Sequence, residues 1–233
     1  MTVARLAELC WTDLTGDGPP ILAIPLGATE QHGPHLPLGT DTLVAEALAG
    51  RLAAHRTDVV VAPPLPYGSS GEHSGFPGTI SMGAEALEHV VVELVRSADA
   101  FSGAVLVSGH GGNADPLARA VARLRREGRR AVAWWPQARC LPADADAHAG
   151  RTETSLVLAL APEQVRTAAA RPGERRPLPE ILPTLRREGV ASVAPNGVLG
   201  DPSGATAAEG EAILAGLAAD LMGRVADEFG GQR

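Results

Sequence analysis

"AVLVSGHGGNADPLARAVARLRREG", residues 104–128, decides how the fold is read. It begins with a short, continuous apolar run at 104–109 and passes into a glycine-rich turn around a single histidine at 109–113. Residues 115–128 then repeat apolar side chains at three- and four-residue spacing and stop at Gly128, a residue suited to a helix terminus. A strand that is apolar at every position must be covered on both faces, as strands are in a parallel sheet under helices. Three further runs have this character: "ILAIPLG" (21–27), "DVVVAP" (58–63) and "AVAWWP" (131–136). Helical spacing fills 41–55, 84–100, 152–160 and 205–229. Strand and helix alternate, so the expected architecture is three-layer α/β/α with a mostly parallel central sheet and right-handed crossovers. One domain is expected over residues 1–233, interrupted by an irregular excursion at about 171–204. That segment is rich in Pro, Gly and Arg and reads as a short helix and a hairpin.

Composition narrows the function. Apolar residues make up 45% of the 233 and charged residues 20%, enough for a buried core. Aromatics are only 3%, so that core must be mostly Ala, Val and Leu. A net charge of -7 argues against nucleic acid or an anionic membrane as partner. No apolar run reaches the roughly 18 residues of a membrane span, and the N-terminal stretch lacks a signal-peptide pattern. Cys10 and Cys140 form no CxxC pair and read as free thiols of a reducing, cytoplasmic setting.

The polar loops carry the chemistry. In open α/β sheets, ligands bind beyond the carboxyl ends of the strands. Glu30 and His32 follow the first run, "YGSSGEHSGFPGT" (67–79) the second, "GHGGN" (109–113) the third and "DAHAGRTETS" (146–155) the fourth. Four loops with metal-binding and proton-moving groups therefore meet on one rim. Glu30 and His32, two apart in an extended segment, point the same way and can reach one metal together. Pro34 and Pro37 stiffen that loop. Asp41 opens a helix, where a carboxylate serves equally as an N-cap or a ligand. His110 sits in a turn that could cradle phosphate or present a metal ligand, although it matches neither GxGxxG nor the Walker pattern. His148, flanked by Ala and Gly, is poorly placed for core packing, and His73 is similar. Glu153 falls in a first helical turn, where the dipole alone would favour it. The absence of HExxH and GxSxG argues against zincins and serine hydrolases.

"GATEQHGPHLPLGTD" (27–41), "FPGT" (76–79), "GHGGN" and "HAGRTETS" (148–155) resemble the creatininase family of metal-dependent amide hydrolases, over roughly residues 20–160. The resemblance implies a creatininase-like fold and hydrolysis of a C–N bond. It places Glu30, Asp41 and His110 around one divalent ion, with His32 and a bridging Asp41 around a second. One or two ions per chain are implied, Fe(II), Zn or Mn. His148 matches a histidine beside the reacting carbonyl, able to protonate the leaving amine, with Glu153 as the second catalytic candidate. His73, Arg151 and Asn113 are the candidate substrate contacts. At Gly112 the chain departs from creatininase, which has a glutamate there; either Glu153 or a water substitutes, or the second site is weak. Stretches 67–79, 109–113 and 146–156 resemble one branch of the family still more closely, the peptidases of the mycofactocin system. That branch implies a peptide partner, a modified ribosomal precursor from which one cleavage releases a C-terminal Val-Tyr dipeptide. Arg151 would bind the dipeptide carboxylate through its planar fork. The family also implies a homo-oligomer, a hexamer. Two other readings stand: hydrolysis of a small cyclic or ring-opened amide or a formamide, and metal binding without catalysis.

Overall fold

Residues 3–16 and 18–231 are described by a computed structural model of the chain. The apolar runs form four strands, β1 (Ile21–Leu26), β2 (Val59–Val61), β3 (Gly103–Ser108) and β4 (Ala131–Trp134). They lie in the order β2-β1-β3-β4, and every neighbouring pair is parallel. Six α-helices accompany them: α1 (Thr40–His55), α2 (Ala84–Arg96), α3 (Ala114–Arg126), α4 (Arg151–Leu160), α5 (Leu178–Glu188) and α6 (Ala207–Phe229). The expected three-layer α/β/α architecture is therefore present.

Strand alternation sorts the core into two layers. Ile21, Ala23, Val59, Val61, Val105, Val107, Val132 and Trp134 pack on one face with Leu48 and Leu52 of α1, Leu156 of α4, and Leu214, Leu217 and Leu221 of α6. Leu22, Ile24, Leu26, Ala104, Leu106 and Ala131 face the other way, against Leu87 and Val91 of α2 and Leu117 and Leu124 of α3. Helix α2 ends at Arg96, short of the expected 100, because residues 97–100 offer no large apolar side chain and fold into turns. No described helix is long and apolar enough to cross a membrane. Cys10 and Cys140 are free thiols.

The excursion contains the expected helix, α5. In place of a hairpin its two arms meet in a short neck, where Gly173 N–H donates to Gly200 O at 3.0 Å and Glu174 N–H to Val198 O at 3.0 Å. Ile181, Leu185, Val190, Ala194 and Leu199 form a small core of their own, joined by Phe76 from the loop after β2. The excursion thus leans on a rim loop rather than on the sheet.

The site is placed by strand order. Because β1 lies between β2 and β3, the loops leaving β1 and β3 diverge and open a crevice at the sheet edge. The N-terminus of α1 is wedged into it. A Cβ on Gly109 would stand 2.1 Å from the Asp41 carbonyl oxygen, so only glycine allows this approach. Gly109→Ala is expected to push the start of α1 outward and to destabilise the protein by about 1–3 kcal/mol, the usual cost of overpacking. A thermal melt unchanged from native would contradict that.

Candidate metal centre

The first loop delivers Glu30 and His32, α1 delivers Asp41 in its first turn, and β3 runs directly into His110. His110 Nδ1 lies 3.3 Å from Glu30 Oε1 and 3.4 Å from Asp41 Oδ2. The other Asp41 oxygen, Oδ1, is 3.2 Å from His32 Nε2. His32 Nε2 in turn lies 3.8 Å from Glu153 Oε2, which is also 3.8 Å from His148 Nδ1. Asp41 therefore stands between two groups of side chains. It is not the N-cap of α1, a position held by Gly39.

Each of three histidines is oriented by a backbone carbonyl. His32 Nδ1 donates to Glu30 O at 3.1 Å, His110 Nε2 to Ser69 O at 3.0 Å and His148 Nε2 to Gln31 O at 2.8 Å. A carbonyl only accepts, so the proton sits on the outer nitrogen and the inner nitrogen offers its lone pair to the centre. Metal-ligating histidines are held in this way. His73 is set up oppositely. The Gln31 amide is fixed by Gly33 N–H on Oε1 (2.9 Å) and by donation to Gly197 O (3.0 Å), so it also donates to His73 Nδ1 at 2.9 Å. Neutral His73 then carries its proton on Nε2, facing Glu30 Oε1 at 3.5 Å.

Both carboxylate oxygens of Glu30, and Asp41 Oδ2, are buried without a hydrogen-bond partner. Buried carboxylates left this way are costly unless a cation compensates them. Three sets of side chains bring ligand atoms within 4.8 Å of one another: Glu30, Asp41 and His110; His32, His148 and Glu153; Glu30, His73 and His148. Mixed imidazole and carboxylate donors suit Zn, Mn or Fe(II). The orphaned oxygens and the donor set both fit a divalent ion.

Electrostatics tell the same story. Burial opposes a charge on His110, yet Glu30 and Asp41 outweigh it and hold its pKa at about 10. His32 is likewise buried, but Asp41, Glu153 and Glu30 raise it to about 10. Burial pushes Glu30 up, and His110, His73 and His32 more than reverse this, leaving it well below the ordinary carboxylate range. His73 is lowered to about 3, chiefly by burial, and stays neutral. Without metal, protons on His32 and His110 supply the missing positive charge.

The remaining expected residues divide. Glu153 Oε2 accepts the Ala149 N–H at the start of α4 and also lies 3.8 Å from His32 Nε2 and from His148 Nδ1. Ala149 is left-handed, with φ 51°, and Glu153 helps hold that turn. His148 is also held through its backbone, paired with Leu199 of the excursion at 3.2 and 2.8 Å. Asn113 is not brought into the cavity. Its amide donates to Gly27 O and Ser108 Oγ, and its oxygen accepts from Ser69 N–H, tying three loops together. Arg151 also points elsewhere, its Nε 2.9 Å from Glu209 Oε2 of α6 on the surface.

Three organising residues carried no sequence signal strong enough to single them out. Gln31 reaches the histidines because Gly33, at φ 63°, turns the loop. Asp146 caps α4, accepting the Arg151 and Thr152 N–H groups. Glu72 stands in the space beside Gly112, where a Cβ would lie 2.4 Å from His110 Nε2 and 2.9 Å from Glu72 Oε1. Gly112 thus has no room for a side chain, and an acidic group arrives from the loop after β2 instead. Burial raises the Glu72 carboxyl above its ordinary value.

A cavity of about 870 Å³ lies over these groups, lined by Glu30, Asp41, Glu72, His73, His110, His148 and Glu153. Helix α5 closes its far side with Leu178, Leu182 and Arg186.

The creatininase family model, described as creatinine amidohydrolase, matches residues 7–225, and the chain belongs to the creatininase family. Its fold is that of metal-dependent amidohydrolases. It is 52% identical over 212 residues to a mycofactocin precursor peptide peptidase of Mycolicibacterium smegmatis, covering 88% of this chain and 84% of that one. Two solved creatininases, one of the Zn-Zn type and one described as creatininase Mn, each superpose with a TM-score of 0.80 at 25% identity. Each alignment covers 99% of this chain and 100% of the other.

Proposed function

We propose that this chain is a metal-dependent peptidase that removes the C-terminal Val-Tyr dipeptide from the modified mycofactocin precursor peptide. The observation that carries the chemistry is the set of buried, unpartnered oxygens, both of Glu30 and Oδ2 of Asp41, among oriented histidines beneath a cavity. The substrate rests on the 52% identity to the peptidase named above. In this reading Glu30, Asp41 and His110 hold one ion, and His32, Asp41 and Glu153 hold a second, Glu153 supplying the carboxylate that position 112 lacks. The ion is Zn, Mn or Fe(II). Bound there, it would supply Lewis acidity and lower the pKa of a coordinated water.

The protein groups do the rest. His148 keeps one proton on Nε2, donated to the Gln31 carbonyl, so the lone pair on Nδ1 can take a proton from the attacking water and pass it to the leaving amine of the dipeptide. His73 presents Nε2–H where an oxygen gains negative charge. Asn113 and the Gly109 contact keep the loops in register. Free thiols at Cys10 and Cys140 fit a cytoplasmic setting, and the family resemblance favours a homo-oligomer, a hexamer.

A cavity of about 870 Å³ has room for a peptide end. Incubation of metal-loaded protein with the modified precursor should release the dipeptide product in one step, read by mass spectrometry. Hydrolysis of creatinine or a formamide at comparable efficiency, with no dipeptide released, would overturn the substrate assignment and leave the amidohydrolase.

A further inference from the structure

We propose that Leu178 and Leu182 on α5 form the wall that takes the aromatic side chain of the departing dipeptide, making this helix the specificity element of the enzyme. This rests on the peptidase reading above. The floor and near side of the cavity are acidic or imidazole-bearing, from Glu30, Asp41, Glu72 and the histidines. Most of those groups are the ones assigned here to the metal and to proton transfer. The far side is different.

Leu178, Leu182 and Arg186 recur at four-residue spacing and so form one stripe along α5. All three line the cavity. Ile181 and Leu185 point to the small core of the excursion and account for the burial that holds the helix in place. Leu185 belongs to that core and also borders the cavity, whereas Leu178 and Leu182 line the cavity without belonging to the core. Leu178 is 42% exposed and is the one strongly exposed large apolar residue that lines this cavity. Exposed Leu178 and half-buried Leu182 together give the cavity an apolar wall opposite its polar floor. Arg186, with no ion-pair partner among the described residues, bounds the stripe at its other end.

The geometry also ties this wall to the chemistry. The neck at 173–174 and 198–200 carries α5, and Leu199 of that neck pairs with the backbone of His148. A ring seated on α5 thus fixes the peptide relative to the proton donor.

The test uses the full-length, metal-loaded protein with two substrates, the modified precursor and the same peptide ending in Ala. Native enzyme should prefer the tyrosyl substrate. Leu182→Ala should lower kcat/KM on it by roughly 10–50-fold, mainly through KM, since about three methylene-sized groups of contact are removed. The preference over the Ala-ending peptide should shrink by the same factor. Leu182→Met should restore most of both, and metal content should equal native throughout. Native KM and native preference in both Leu182→Ala and Leu178→Ala would overturn the wall. So would a native enzyme that cleaves the two peptides equally, which would leave the peptidase reading standing. If native protein cleaves neither, the peptidase reading fails and this inference fails with it.

Discussion

His110→Ala and Asp41→Ala proteins should purify folded and nearly free of metal. Each removes a proposed ligand of the first site, and Asp41→Ala also removes the group shared with His32. The fold should survive because the two packed layers of the sheet lie below the rim and use neither residue. Circular dichroism should match native while elemental analysis shows loss of most bound metal. A full complement of metal in both variants would contradict the assignment. The same centre predicts a pH dependence. In metal-free protein His32 and His110 stay protonated up to about pH 10, so binding must displace about two protons, and affinity should rise with pH. Their raised pKa values stabilise the metal-free fold fully below their ordinary value of 6.5, and that stabilisation is lost as pH rises through about 10. Metal-free protein should therefore lose stability over this window.

His148→Ala should keep its metal and lose activity by roughly 10²–10⁴-fold, the usual size of a general acid–base contribution. Its Nδ1 is 3.9 Å from Glu30 and 3.8 Å from Glu153, near the centre but outside the Glu30, Asp41 and His110 set. The backbone pairing with Leu199 does not depend on the imidazole, so the loop should hold its course in the variant. Loss of metal together with activity would make His148 a ligand. Native activity would leave it a structural residue and favour metal binding without catalysis.

The strands were legible because burial on both faces forces continuous apolar runs, and the order of elements alone predicted that the loops with Glu30, His73, His110 and His148 would converge. The side-chain directions were not legible. Arg151 sits in the first turn of α4, and what it meets depends on Glu209, fifty-eight residues later on α6. Asn113 resembles a loop residue facing a ligand, yet both its amide hydrogens and its oxygen are engaged by Gly27 O, Ser108 Oγ and Ser69 N–H. Gln31 lies between Glu30 and His32, so strand alternation turns it away; the left-handed Gly33 brings it back. The bounds of helix α5, expected only as a short helix within the excursion, were masked by its prolines. Pro179 falls in the first turn, where its missing N–H costs nothing, and Pro183 removes one further bond.

Glu30, Asp41 and His110 are proposed to bind a divalent ion at the mouth of the β1/β3 crevice. Anomalous diffraction from crystals of the protein loaded with Zn or Mn, collected at that metal's absorption edge, tests it most directly. A peak is expected about 2.0–2.3 Å from His110 Nδ1 and from oxygens of Glu30 and Asp41. An active crystal form with that position empty and the peak elsewhere would contradict it.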